Sequence, residues 1–323
     1  MAATTTRGIT LRHIDWDDLR VFSAIARGGS VRAAAREIGI HHSTVARRLE
    51  NLEQRLGVHL FTRTPSGLRL TEEGRAVLGR TERVESEIDS IERRLLGQDQ
   101  RLEGLIRLTL PDAIAVGFLM EDLARFSARY PGIDIELLPT YEALDLGRRE
   151  ADVAIRITAT PPDFLVGRNL GSFALAVYGS HAYLAEHDPL TQPDACNWIG
   201  WGEGPLEDAW RHELFPTMPS RTRSQNVLLR LAAVRADMGI SMLPCAFGDV
   251  DPFIARLPGM EPVLGDPIWV LTHPDLRGAA RIRALLSFLA DAFAARRDVL
   301  LGRTGYVAKA PAGEEKEQDP QEA

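Results

Sequence analysis

Thr44, Arg47, Arg48, Asn51 and Arg55 fall on one side of the stretch His42 to Leu56, and Val45, Leu49, Leu52 and Leu56 fall on the other. The apolar set recurs at i, i+4, i+7 and i+11, which is one stripe of a helix. The opposite face is rich in donors, and its guanidiniums and amides match phosphate oxygens and base edges in a major groove. The chemistry is recognition of a duplex. Ser43, Thr44, Arg47 and Arg48 are expected to make the backbone and base contacts, because the first two turns of such a helix enter the groove. His42 can donate one bond to guanine or phosphate, or serve only in capping and packing.

Three further elements must position that face. Val31, Ala34, Ala35 and Ile38 form a second stripe that ends at Gly39, and small residues there let two helices cross closely. Asp15 can cap a helix from Trp16 to Arg27, closed by Gly28 and Gly29, with Leu19, Phe22 and Ile25 or Ala26 facing inward. Val58 to Phe61 and Leu68 to Leu70 suggest short strands with Pro65-Ser66-Gly67 at the turn. This is a wing carrying Arg63 and Arg69, each suited to a phosphate or the narrow minor groove. Without the wing, the same pattern would fit two surface helices of an ordinary domain.

AAAREIGI, STVARRLENLEQRLGVHLFTR and LRLTEEGR resemble, in order and spacing, the N-terminal domain of LysR-type transcriptional regulators. The resemblance runs from about Trp16 to Arg75. It continues more loosely to Phe293 through ARFSARYPGIDIEL, DLGRREADVAIR, GISMLP and THPDLRGAARIRALLSFL. It implies an all-α winged helix-turn-helix with a long linker helix, then an α/β two-lobed effector domain of the periplasmic-binding-protein type. It also implies a homodimer or tetramer on a double-stranded inverted-repeat operator, a small-molecule effector, contact with RNA polymerase, and no cofactor. The family places a Ser-Gln-Pro-like tripeptide where this chain has His41, His42 and Ser43. Glutamine reads adenine through a paired donor and acceptor that histidine cannot offer, so the inner bases of the target are expected to differ.

The net charge of −7 would by itself argue against a nucleic-acid binder. Its distribution argues the other way: residues 1–70 hold eleven Arg and six Asp or Glu, a formal +5, which leaves −12 for the remainder. That asymmetry suits a basic DNA-binding module joined to an acidic domain. At 323 residues the chain has room for two or three domains, and 45% hydrophobic with 26% charged residues is a globular balance. No run of about 18 apolar residues exists, and MAATTTRGIT lacks the core of a secretory signal. With two cysteines, Cys196 and Cys245, a reducing cytoplasm is expected and both read as buried thiols. There is no GxSxG elbow, P-loop, GxGxxG or HExxH motif, and the histidines lack metal-ligand spacing, so catalysis is not expected. The alternative class is a solute-binding or enzymatic α/β domain whose N-terminal module serves only for assembly.

The expected organisation is a loose tail (1–14), the winged helix-turn-helix (15–70), a linker helix (71–97), the effector domain (104–300) and an acidic disordered tail (304–323). Thr71 caps the linker helix, with Glu72 and Glu73 in its first turn. Val77, Val84 and Ile91 with Thr81, Ile88 and Leu95 form an a/d seam over roughly three heptads, which points to a self-pairing coiled coil. Strands at 105–110, 133–138 and 153–157 alternate with helices at 114–129 and about 144–150, which suggests a parallel sheet. Ligands of such a fold sit between lobes, at strand ends and helix starts. Those places hold Pro111 and Asp112, Thr140 and Tyr141, Arg156, and Ser224, Gln225 and Asn226. The family often has Ser or Thr where Pro111 stands. Asp112 would repel an anion, while Arg156 could restore an anion site or pair with Asp112 or Asp152.

Overall fold

The computed structural model describes residues 14–65, 67–140, 146–147, 150–201 and 211–303. They divide into two units, the first reaching Leu95 with Gly147 grouped to it, the second starting at Leu96. The expected tails at 1–13 and 304–323, Ser66 in the wing turn and most of the helix expected at 144–150 lie outside the described residues.

In the first unit, α1 (Trp16–Gly28) starts at Asp15, whose carboxylate accepts from the Asp17 N–H at 3.0 Å. α2 (Val31–Ile38) starts at Ser30, whose hydroxyl accepts from the Ala33 N–H at 3.2 Å. Between α2 and α3 (His42–Leu56), Gly39 sits at φ 76°, where a Cβ would be strained, and the chain reverses sharply there. Phe22, Ile25, Ala34, Val45, Leu49 and Leu52 interlock beneath, which fixes the axis of α3 and leaves its other face outward.

The wing has the two expected strands, but the first lies three residues further along the chain than expected. β1 is Phe61–Thr64 and β2 is Gly67–Leu70, so the run from Val58 to Leu60 is a turn. The cause is Glu53 of α3, whose carboxylate accepts from the N–H groups of Leu60 at 2.6 Å and Phe61 at 3.3 Å. Leu60 and Phe61 are both buried, and successive buried residues do not fit the alternation of a strand. α4 (Glu72–Gly97) follows, capped by Thr71, whose hydroxyl accepts from the Gly74 N–H at 2.9 Å.

The second unit holds a seven-stranded sheet. β3 (Gly104–Leu110) pairs in parallel with both β4 (Ile133–Pro139) and β5 (Val153–Ile157). The remaining pairings of this sheet are antiparallel, so the expected parallel pairing is confined, within it, to the first lobe. β6 (Val166–Ser180) is long enough to serve both lobes. Its partners are β9 (Ser241–Pro244), β10 (Ile254–Arg256) and β11 (Val263–Thr272), while β7 (Ile199–Gly200) and β8 (Thr222–Arg223) form a separate pair. Because β6 alternates, Ala174, Ala176 and Tyr178 enter one second-lobe core and Val177, with Leu175 at its edge, the other.

The helix expected at 114–129 is composite: α5 (Asp112–Ile114), a π turn at Ala115–Leu119, then α6 (Met120–Arg129). Gly117 in the π turn lies so close to Phe247 that a Cβ would stand 2.2 Å from its ring. The wide turn accommodates that approach. α7 (His181–Glu186), α8 (Val227–Arg235) and α9 (Cys245–Gly248) cover the second lobe. α10 (Ala280–Ala295) packs Ile282, Leu285, Leu289 and Phe293 on the first.

Candidate nucleic-acid interface and effector cleft

α3 exposes His42, Ser43, Arg47 and Asn51, with Thr44 half-buried. His41 is the N-cap, and its Nδ1 lies 2.8 Å from the Ser43 hydroxyl and 3.4 Å from the Ser43 N–H. Its ring packs against that of His42, tilted by 39° at 4.3 Å between centroids. The histidine pair therefore does part of the capping work itself, and the Ser43 hydroxyl is tied to it. Arg48 departs from its expected role, since its guanidinium turns to α1 and pairs with Asp17 at 3.3 Å and Asp18 at 3.5 Å. Arg55 joins Asp18 at 3.0 Å. These two arginines brace α3 against α1, leaving Arg47 and Asn51 outward.

Arg48→Ala is accordingly expected to lower the stability of the DNA-binding unit by about 1 kcal/mol, because Asp18 keeps Arg55 as a partner. Base preference should stay as in the wild type. A thermal melt paired with selection on randomised half-sites checks both; an altered motif with an unchanged melt would return Arg48 to the groove.

Two arginines escaped the sequence reading. Arg32 and Arg36 of α2 line a surface groove with Ala35, Ile40, His41 and His42. Their i, i+4 spacing off the Val31–Ala34–Ile38 stripe was the available signal. On the wing, Arg63 pairs across with Leu68, and Arg69 with Thr62. Side chains alternate along a strand, so the two arginines project from opposite faces, and a duplex lying on one face meets only one of them.

The heptad seam is only half free. Val77 packs on the N-terminal core, and Thr81 is buried with its hydroxyl donating to the Val77 carbonyl at 2.9 Å. Glu85 binds Arg27 at 3.2 Å and the Ser23 hydroxyl at 3.4 Å, holding this part of α4 on α1. From Val84 onward the seam is open: Val84, Ile91 and Leu95 are 43%, 60% and 67% exposed, and Ile88 is half-buried. Val77 is thus a core residue first, and the seam left for a partner begins at Val84.

In the second unit two of the expected effector residues, Asp112 and Asn226, meet directly. Asp112, just after Pro111 at the end of β3, accepts from the Asn226 amide at 2.5 Å and from the Ala113 N–H at 2.7 Å. Asn226 caps α8, its side-chain oxygen accepting from the Leu229 N–H at 3.0 Å. The Ser224 hydroxyl accepts from the Asn226 N–H at 3.2 Å, and Gln225 is exposed beside it. Thr140 follows β4 and its N–H donates to Leu110 at 3.0 Å, while Tyr141 lies outside the described residues. Arg156 donates to the Thr109 hydroxyl and the Ile155 carbonyl, both at 2.8 Å, and burial lowers its pKa. Both cysteines are buried, and burial pushes both thiols up. Among the described residues no cluster has the makeup of a metal site, and no helix is long and apolar enough to cross a membrane.

A winged helix-turn-helix with an outward donor-rich helix, in one chain with a two-lobed α/β unit, defines a DNA-binding regulator with a ligand-binding domain. Residues 16–75 match the family model described as bacterial regulatory helix-turn-helix protein, lysR family, and residues 99–294 match the LysR substrate binding domain. The chain is 32% identical over 295 residues to the Mau operon transcriptional activator of Paracoccus denitrificans, covering 87% of this chain and 97% of that protein. It is 30% identical over 295 residues to a probable regulator, LtrA, of Klebsiella pneumoniae, covering 85% and 93%. The full-length Vibrio cholerae virulence activator AphB shares the fold with a TM-score of 0.57 at 20% identity, covering 86% of this chain and 99% of that one. The chain belongs to the LysR family of bacterial transcription regulators. It is a DNA-binding regulator with an effector-binding domain, and not an enzyme. Regulators of this family bind DNA and small-molecule effectors and form oligomers.

Proposed function

We propose that the chain acts in the cytoplasm as a homodimer, or a tetramer built from dimers, on an inverted-repeat operator. The observation that carries this is the outward face of α3, which exposes His42, Arg47 and Asn51, with Arg32 and Arg36 of α2 in one groove with His42. His42 and Arg47 read base edges, and Arg32, Arg36 and Arg63 hold phosphates. The free half of the α4 seam, from Val84 to Leu95, pairs two copies. A small molecule at the Asp112–Asn226 rim changes the DNA-bound arrangement, and RNA polymerase is the further partner this reading expects at a promoter.

Salt dependence tests it. Three phosphate contacts per protomer make six per dimer, so the logarithm of duplex affinity should fall against that of salt with a slope on the order of −5. Anisotropy on a labelled duplex from low to physiological salt measures the slope. A module used only for assembly would give no duplex binding to titrate, and that result would sink the proposal.

A further inference from the structure

β6 and β11 reach the second lobe at Ala174 and Val263, and their opposite ends, at 166–168 and 270–272, meet α10 in the first lobe. A pocket of about 240 Å³ opens there, and no residue of the Asp112–Asn226 rim lines it. Arg168 of β6, Arg277 of the turn after β11 and Arg283 of α10 do. The lining holds no carboxylate, and its other polar side chains are the hydroxyls of Ser287 and Thr272. Thr272 is buried and donates to the Asp152 carbonyl at 2.8 Å, whereas Ser287 is exposed.

Three guanidiniums around one concavity repel one another unless something compensates them. Elsewhere in this unit Arg235, Arg256, Arg281 and Arg296 are each paired with a carboxylate. Arg168, Arg277 and Arg283 form no ion pair among the described residues. Neutral groups alone hold Arg283: Nη1 donates to the Gly278 carbonyl and Nη2 to the Gln100 side-chain oxygen at 3.0 Å. Its place is thereby fixed with its charge uncompensated. Composition does not account for the cluster, since residues 71–323 carry a formal −12. All three arginines are exposed, so an anion can reach them without the cost of burying a charge.

We infer that this pocket binds the dianionic phosphate group of a small phosphate monoester, its oxygens accepting from Arg168, Arg277 and Arg283 and its short stem lying on the half-buried Val166 and Leu286. A guanidinium fork matches two phosphate oxygens at once, and a monoester offers three oxygens with nearly two charges at neutral pH. A carboxylate, or the diester of a nucleic-acid backbone, brings one charge against three. The volume sits below the range of roughly 300–1,000 Å³ typical of sites for drug-sized ligands, which limits the stem to a few carbons. The pocket also adjoins the segment that follows α4. Gln100 donates to the Gly278 carbonyl at 3.3 Å, and the Ala280 N–H donates to the Asp99 carbonyl at 2.9 Å. An ester that recruits Arg283 thus bears on the residue that grips Gln100. The inference depends neither on the rim nor on the duplex reading.

Phosphorus NMR titration of the full-length protein at physiological salt tests it, with isobutyl phosphate, dimethyl phosphate and inorganic phosphate as probes. The monoester should saturate at one molecule per chain, about ten-fold more tightly than dimethyl phosphate and about three-fold more tightly than inorganic phosphate. Arg168→Gln and Arg277→Gln should each weaken it about five-fold, and the two together about twenty-fold or more. Arg129→Gln removes an exposed charge at the end of α6 and should leave binding unchanged, with a thermal melt establishing that each variant is folded. No saturable binding of the monoester at millimolar concentration overturns the inference. So does wild-type affinity in the folded double variant, which would put the ester on another basic surface such as the DNA face. Dimethyl phosphate binding as well as the monoester would mark a patch for nucleic-acid backbone, and inorganic phosphate binding as well would mark a site for the free ion; either result also overturns it.

Discussion

Ile91→Asp is expected to turn the full-length protein from a dimer into a monomer while leaving each chain folded. Ile91 is 60% exposed in the single chain, so the substitution removes little intrachain burial and the melting temperature of the monomer should barely move. In a dimer paired through the seam the same position faces its symmetry mate, and two carboxylates would be buried against each other. The usual cost of a buried unpaired charge is several kcal/mol, on the order of a thousand-fold in dimer dissociation. Operator affinity should fall about a hundred-fold or more, because the second half-site is no longer reached by a tethered partner. Ile88→Asp should act in the same direction, but Ile88 is half-buried within the chain, so Ile91 is the cleaner position. Sedimentation velocity and operator titration decide the matter. A variant that remains dimeric with wild-type affinity would show that the seam is not the dimer arm.

The second large effect separates reading from positioning on the DNA face. His42→Ala and Arg47→Ala should each lose roughly 1–3 kcal/mol on the native operator and little on unrelated duplex, because base-edge contacts are lost only where the right base is present. Arg63→Ala should weaken all duplexes about equally and flatten the salt slope by about two units in the dimer, one per protomer. Since Arg63 and Arg69 project from opposite faces of the ribbon, Arg69→Ala should leave the slope unchanged. These side chains are exposed, so thermal stability should not confuse the comparison. Half-site selection with each variant provides the readout. A motif altered by Arg63→Ala but not by His42→Ala would reverse the assignment of roles.

The sequence itself determined the three N-terminal helices, since each bears a capping residue, an apolar stripe and a terminal glycine, all of them local signals. The bounds of α3 follow from them directly, with His41 before it and Gly57 after it. It also determined the bounds of β5 and the cap at Thr71, where one side chain and a nearby backbone N–H suffice. Which face of α3 turns outward was legible in its stripe. Which residues of that face are free was not, because Asp17 and Asp18, which draw Arg48 and Arg55 away, sit about thirty positions upstream. The wing slipped for the same reason: Val58 to Phe61 has strand composition, but Glu53 holds its end as a turn. A heptad repeat names a stripe without naming its cover, so only packing on the N-terminal core showed that Val77 and Thr81 are already spent. Tertiary structure alone decided that β6 and β11 run through both lobes, because strand direction is set by pairing between distant segments. It alone brought Arg168 to one pocket with Arg277 and Arg283, far downstream in sequence. Periodicity reports what lies within a few turns of chain; the distant partner that completes a contact is chosen only by folding.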